Sequence, residues 1–334
     1  MGVDDFSKSE MIALGFVFLI IPCIFVALRI WAKWISRHKL QVDDYLIFVG
    51  LMFSIACSIT QLIGAIDGEL GQHQPTGPDG QPDLNDPRFL IYEKCKFASQ
   101  IMAVIGIGST KLSLLVLFRQ IFSISRGFRT VNTIMIAVTI GWMISFFFAN
   151  LFTCYPVTPL VESFYGNKCI NSTAMWYSSC VTDVAIDLVI LVMPLPPISK
   201  LQLPRQQKLV VSSMFIVGAA VIAVSVTRLG MYIHIGTTFL EHYNDETYYT
   251  SPVFFWTNIE ISLAVMLACL PTLRPIWNLL RGQHLGSTVR SYEPYYSSRS
   301  GEVSGSSTRR RKDTFNDLDT INLVNSPHQS ADMA

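Results

Sequence analysis

The chain has 334 residues, half of them hydrophobic and only 15% charged, and its 25 Lys and Arg against 24 Asp and Glu leave a formal net charge of +1. A balance so near zero offers no electrostatic footprint for a nucleic-acid partner. The apolar residues fall in long runs, which makes the lipid bilayer the first partner to consider.

In chain order the runs cover residues 11–31, 44–66, 98–120, 131–153, 174–195, 209–232 and 252–274. Each approaches the ~20 residues that a helix needs to cross ~30 Å of hydrocarbon at ~1.5 Å per residue. The expected fold class is all-α, a polytopic bundle of seven transmembrane helices. Residues 1–10 form a short extracellular N-terminus, 11–280 the membrane domain and 281–334 a disordered cytoplasmic tail. The first run follows the acidic residues Asp4, Asp5 and Glu10 and is long enough to span, which predicts an uncleaved anchor.

Charge predicts the orientation, because short cytoplasmic connections retain Lys and Arg. Lys33, Arg37 and Lys39 lie in the first connection, Arg119, Arg126 and Arg129 around the third, and Lys200, Arg205 and Lys208 in the fifth. Arg281 and the run Arg309, Arg310, Arg311, Lys312 follow the last segment. The alternate connections hold Asp67, Glu69, Asp79, Asp83 and Asp86, then Glu241, Asp245 and Glu246; Arg88, Lys94 and Lys96 are exceptions too few to reverse the bias. The N-terminus is therefore expected outside and the C-terminus in the cytoplasm.

Asp43 and Asp44 begin the second segment, where carboxylates complement the positive end of a helix and cap its free N–H groups. The connection from Asp67 to about Phe97 contains PTGPDGQPDLNDP, a turn-rich stretch that reads as a solvated loop or a lid over the bundle. The connection after the fourth segment combines Cys154 and Cys169 with the glycosylation sequon Asn171, Ser172, Thr173, features that suit an oxidising compartment. Three of the seven cysteines, Cys95, Cys154 and Cys169, lie on the outward side, so one disulfide leaves one thiol over. Cys154 with Cys169 is the preferred pairing and Cys95 with Cys169 the alternative. Pro194, Pro196, Pro197, Pro271 and Pro275 mark helix ends or kinks.

Ionisable side chains inside hydrocarbon cost several kcal/mol and turn inward to find partners. Lys111 in helix three, Asp183 and Asp187 in helix five and Glu260 in helix seven are such residues, with Arg228 near the outer end of helix six. Asp183 and Asp187 are one turn apart and share a face. Depth along the helices pairs Lys111 with Asp187 and leaves Asp183, Glu260, Asn258, Trp256 and Arg228 as a polar pocket opening outward. All seven are candidates for a ligand or proton site, or for a network that only holds helices together.

Helix seven contains no Lys, so no retinal Schiff base is expected. No P-loop, H-E-x-x-H pair or nucleophile beside a base is present, and neither a cofactor, a metal site nor standard enzyme chemistry is expected. From about Gly282 the chain is rich in Ser, Gly and Arg; phosphorylation of Ser306, Ser307 or Thr308 beside the basic run would weaken its attraction to anionic lipid.

An ordered set of motifs resembles a known group. These are DDYLIF at 43–48, KLSLLVLFRQIF at 111–122, FTCYP and KCIN around Cys154 and Cys169, the stretch from Asp187 to Pro196 followed by KLQLPRQQK, and CLPTLRP at 269–275. Together they resemble the fungal rhodopsin-domain integral membrane proteins, a family that includes receptor-like proteins implicated in plant-surface sensing and a member of the satratoxin gene cluster. The resemblance implies seven helices without retinal. Only about ten residues precede the first apolar run, so a Cys-rich extracellular domain like that of some receptor-like members is not expected, and the D-R-Y and N-P-x-x-Y signatures of animal G-protein-coupled receptors do not occur in the sequence. The preferred reading is a receptor-like protein of the plasma membrane or an endomembrane, binding an unknown small molecule and engaging a cytoplasmic signalling partner. The alternative is an enzyme or accessory protein of a secondary-metabolite pathway, in which Asp183, Asp187 or Glu260 donates a proton; a transporter is third.

Overall fold

The computed structural model describes residues 8–37, 39–68, 70–72, 86–121, 126–155, 168–196, 205–238 and 251–273. Its helices are α1 (Lys8–Ile35), α2 (Val42–Asp67), α3 (Pro87–Ile121), α4 (Arg126–Leu151), α5 (Ser172–Val192), α6 (Arg205–Thr238) and α7 (Ser251–Cys269), the last continuing as a 3-10 turn over Leu270–Leu273. All seven contain a stretch long and apolar enough to cross a membrane. A minimal antiparallel hairpin joins α4 to α5, with β1 (Cys154–Tyr155) paired to β2 (Lys168–Cys169).

Local chemistry sets where the helices begin. The carboxylate of Asp44 accepts the backbone N–H of Gln41 at 2.8 Å, so α2 is capped from within its first turn. Asn171 caps α5 by accepting the N–H of Ala174 at 3.1 Å. Asp86 accepts the N–H of Arg88 at 2.8 Å, and Pro87, lacking an N–H, suits the position between them. That cap starts α3 at Pro87, well before the apolar run that begins at residue 98. Arg88, Glu93, Lys94 and Lys96 depress the hydropathy of this extension, yet Phe89, Tyr92 and Cys95 on its inner face are buried. The charges read as exceptions in a loop therefore belong to a helix. The turn-rich stretch at 73–85 lies outside the described residues.

Burial separates two central helices from five peripheral ones. The apolar window of α3 is 78% buried and that of α7 56%, against 22–33% for the others. Gly50 of α2 and Gly106 of α3 make the close approach: a Cβ at Gly106 would stand 2.2 Å from Ile261 Cδ1 of α7, and one at Gly50 2.6 Å from Thr110 Cγ2 of α3. Large apolar side chains such as Phe16 and Ile20 on α1, Ile134 on α4 and Ile216 on α6 stay exposed on the outer faces, where acyl chains would cover them.

Candidate functional site

Five ionisable side chains from four helices meet inside the bundle. Lys111 Nζ of α3 lies 2.7 Å from Asp183 Oδ1 and 2.8 Å from Asp187 Oδ1 of α5, and 3.2 Å from the Asp183 carbonyl oxygen. Its three N–H donors thus have three acceptors, and the Trp142 ring of α4 lies 5.7 Å away as a cation–π partner. Arg228 of α6 continues the chain, with Nη2 at 3.2 Å from Asp183 Oδ2 and Nη1 at 2.5 Å from Glu260 Oε2 of α7. Ser225, one turn before Arg228, lies 3.4 Å from Asp187 Oδ2 and in very close contact with Glu260. All of these residues are buried. Such burial is tolerable only because every charge faces an opposite one.

The arrangement contains three carboxylates and two cations. Oxygens of Asp183, Asp187 and Glu260 lie within 4.8 Å of one another, a spacing that in isolation suits a metal ion. Lys111 and Arg228 already hold these carboxylates and would repel a second cation, so the donor set fits an ion-pair network better than a metal centre.

A partly open cavity of about 70 Å³ lies toward the hairpin end of the bundle. Its walls include Trp142, Trp176, Tyr232 and Phe254, and Arg228 contributes to it from the ion network. Arg228 Nε has no hydrogen-bond partner, and the Cys180 thiol lies close to the guanidinium. The indole N–H of Trp176 also has none. Asp183, Asp187 and Glu260 do not line this cavity. Of the five ionisable groups of the network, Arg228 is the one that lines this cavity.

A second network ties the opposite end. Arg29 of α1, fully buried, forms ion pairs with Asp43 and, at 3.0 Å, with Asp44, and donates to the Ala268 carbonyl of α7 at 2.5 Å. Lys33 reaches Asp44 at 2.5 Å and Asp43 at 3.3 Å, and Gln120 of α3 donates to Asp43 at 3.1 Å. Asp43 and Asp44 therefore do more than begin a helix: they bind α1, α3 and α7 to α2. Separately, Asn258 Nδ2 donates to Gln61 at 2.6 Å, and Gln61 donates to the Met11 carbonyl at 3.0 Å.

Of the seven residues singled out in sequence, Lys111, Asp183, Asp187, Arg228 and Glu260 come together, while Asn258 and Trp256 do not join them. Lys111 binds both aspartates rather than Asp187 alone. Asn258, two residues before Glu260, turns toward Gln61 and Ser58 of α2. Trp256 has a buried indole N–H without a partner and does not line the cavity. Arg29, Ser225 and the cavity aromatics went unmarked in sequence. Arg29 carried one usable signal, a cation in an apolar run four residues before Lys33 with two carboxylates just beyond.

Cys154 and Cys169 are opposite one another in the hairpin register. Cys95 is a free, buried thiol beside Gly64 of α2. Asn171 is exposed, and its cap uses the side-chain oxygen. Ser306, Ser307, Thr308, the basic run, Pro197 and Pro275 lie outside the described residues.

With the geometry in place, comparison with known proteins adds the lineage. Residues 28–279 match the model of the fungal rhodopsin domain. The chain is 25% identical over 294 residues to phomoidride biosynthesis cluster protein H of a fungal species (strain ATCC 74256), covering 82% of this chain and 90% of that one. It is 23% identical over 267 residues to polyenoic acids biosynthesis gene cluster protein Ba17b of Metarhizium anisopliae, covering 78% and 71%. A SAT4 family membrane protein of Emericella nidulans is 26% identical over 213 residues, or 60% of this chain and 53% of its own length.

Proposed function

Because the chain belongs to the family defined by the fungal rhodopsin domain, we propose that it is a multi-pass membrane component of a secondary-metabolite pathway that binds a small apolar molecule in the cavity beside Arg228. The observation that carries this is the double membership of Arg228. Its guanidinium is fixed by Asp183 and Glu260, yet it still presents an unpartnered N–H group close to a wall of aromatic rings. Apolar walls with a few fixed polar groups are the usual construction of a small-molecule site. The names of two relatives, both biosynthesis cluster proteins, support the pathway context.

Deleting the gene in its native fungus and comparing metabolites by mass spectrometry tests the reading. Accumulation of one unfinished precursor with loss of its product is expected, reversed by the native gene and not by an Ala103→Trp form, since Ala103 of α3 lines the cavity and the larger side chain would fill it. Broad rise or fall of whole pathways would count against a pathway component and for a receptor. The receptor reading has its own support: a ligand touching Arg228 would act on a group bonded to α5 and α7.

The same proposal places the hairpin end in an oxidising compartment, with the N-terminus outside and the C-terminus in the cytoplasm. Ile170 donates its N–H to the Thr153 carbonyl at 2.9 Å, which makes Thr153 and Ile170 the hydrogen-bonded pair and Cys154 and Cys169 the adjacent non-hydrogen-bonded one. Backbones at such positions stand ~4.5 Å apart at Cα, inside the range a disulfide spans. A Cys154–Cys169 disulfide and a glycan on Asn171 follow; loss of the endoglycosidase-sensitive form in Asn171→Gln checks the second.

A further inference from the structure

Resting on the ligand-binding reading, we infer that the cavity takes the uncharged, carbonyl-bearing end of an apolar molecule and discriminates against the corresponding carboxylate. An arginine at a ligand site ordinarily suggests an anion. Here the guanidinium charge is already opposed by Asp183 at 3.2 Å and Glu260 at 2.5 Å, while Lys111 is shared between Asp183 and Asp187. With every group ionised, three acids against two bases leave the network one negative charge in excess. The other cation at the cavity, Lys96, is held by Glu93 at 2.6 Å. An arriving carboxylate would therefore add a fourth acid to two bases whose charges are already opposed, in a medium that screens poorly.

What remains available is hydrogen-bond donation without net charge. Arg228 Nε and Trp176 Nε1 are buried, lack partners and belong to residues that line the same cavity. Each unmade bond of this kind favours any occupant that supplies an acceptor, and a ketone, ester or lactone oxygen does so at no electrostatic penalty. Size sharpens the class. About 70 Å³ is far less than the ~300–1,000 Å³ that encloses a drug-sized ligand, so the cavity receives an end group while the rest of the molecule extends through its opening.

The test uses the purified full chain in nanodiscs, empty nanodiscs as the blank, and ligand-observed saturation-transfer NMR titrations. Three probes share one skeleton: benzylideneacetone with a ketone, cinnamate with a carboxylate and 1-propenylbenzene with neither. The ketone is expected to bind saturably and at least roughly tenfold more tightly than cinnamate, the scale set by one uncompensated charge about 10 Å away at an effective dielectric near 20. It should also bind more tightly than the hydrocarbon. Trp176→Phe keeps the ring and removes the donor, so it should weaken the ketone by about three- to tenfold and leave the hydrocarbon unchanged. Cinnamate binding as tightly as the ketone, or the hydrocarbon doing so, overturns this inference and leaves the ligand site standing. Absence of saturable binding for all three probes overturns the ligand site itself.

Discussion

The excess of acids over bases in the central network gives an asymmetric prediction. Asp187→Asn is nearly isosteric and leaves Lys111 bonded to Asp183 at 2.7 Å and Arg228 bonded to Asp183 and Glu260, two cations against two anions. It is expected to cost about 1–2 kcal/mol, the price of weakening one hydrogen-bonded contact in a network that gains charge balance. Lys111→Met, also close in shape, leaves Arg228 alone among three carboxylates and strips Asp187 of its cation. Removing one partner of a buried pair costs about 3–5 kcal/mol. At about 2–4 °C per kcal/mol for a domain of this size, the difference in melting temperature should approach 10 °C. Thermal denaturation of the purified protein in one detergent, followed by the loss of monodisperse material, measures it. The double variant Lys111→Met with Asp187→Asn restores the original difference of one charge and should recover part of the loss, about 1–2 kcal/mol of coupling. Equal destabilisation by both single variants, with no recovery in the double, would refute charge balance as what holds the network.

Arg29→Met should destabilise by about 3–5 kcal/mol, since Lys33 is then the one cation holding Asp43 and Asp44 among the described residues; Arg29→Lys should recover less than half, because one ammonium cannot serve Asp43, Asp44 and the Ala268 carbonyl together. Gly106→Ala should cost about 1–3 kcal/mol in the same assay, as its methyl would meet Ile261 and Phe53 Cβ at 3.1 Å. Non-reducing peptide mapping should recover Cys154 and Cys169 in one cross-linked species, and Cys154→Ser should lower stability by about 3 kcal/mol, the scale for closing a loop of about 15 residues.

The seven helices were legible because hydrocarbon thickness fixes how long an apolar run must be, and the ionisable members of the network because a charge stands out in such a run. Counting residues from the membrane boundary measured depth along the axis, which brought Lys111 level with Asp187 and left Asp183 aside, although Lys111 binds both. It gave no information around the axis. Asn258 and Glu260 lie at nearly one depth but about 200° apart at ~100° per residue, so one serves α2 and the other α6. Hydropathy also failed at the start of α3, where a helix continues with one buried face and one charged face. Arg29 went unmarked because a cation near the end of an apolar run can extend its charge to the interface; the fold instead has Asp43 and Asp44 hold it inside. Ser225 and the cavity aromatics have no signature in an apolar helix, since Ser and Trp there serve many purposes.

The distribution of ion pairs also limits which helices a ligand can move. Shifting a two-state equilibrium from 1:99 to 99:1 takes about 5.5 kcal/mol of differential binding, and an end group making one or two hydrogen bonds supplies a fraction of that beyond its apolar contact. Separating α5, α6 and α7 would break Arg228 from Asp183 and Glu260, at several kcal/mol for each pair. Helix α4 is different. Among the described residues none of the ion pairs involves it, and its links include a hydrogen bond from Trp142 Nε1 to Thr182 at 2.9 Å and one from Asn132 to the Leu115 carbonyl at 3.1 Å. Trp142 also lines the cavity. Movement on ligand binding is therefore expected in α4, against a fixed group of α3, α5, α6 and α7. Spin labels at the exposed positions Ile134 of α4 and Ile216 of α6 should show a changed distance distribution with benzylideneacetone in electron–electron double resonance, while labels at Val192 of α5 and Ile216 should not. A change confined to the second pair would mean that the ion network yields before α4 does, and that the energies assigned to its pairs are too large.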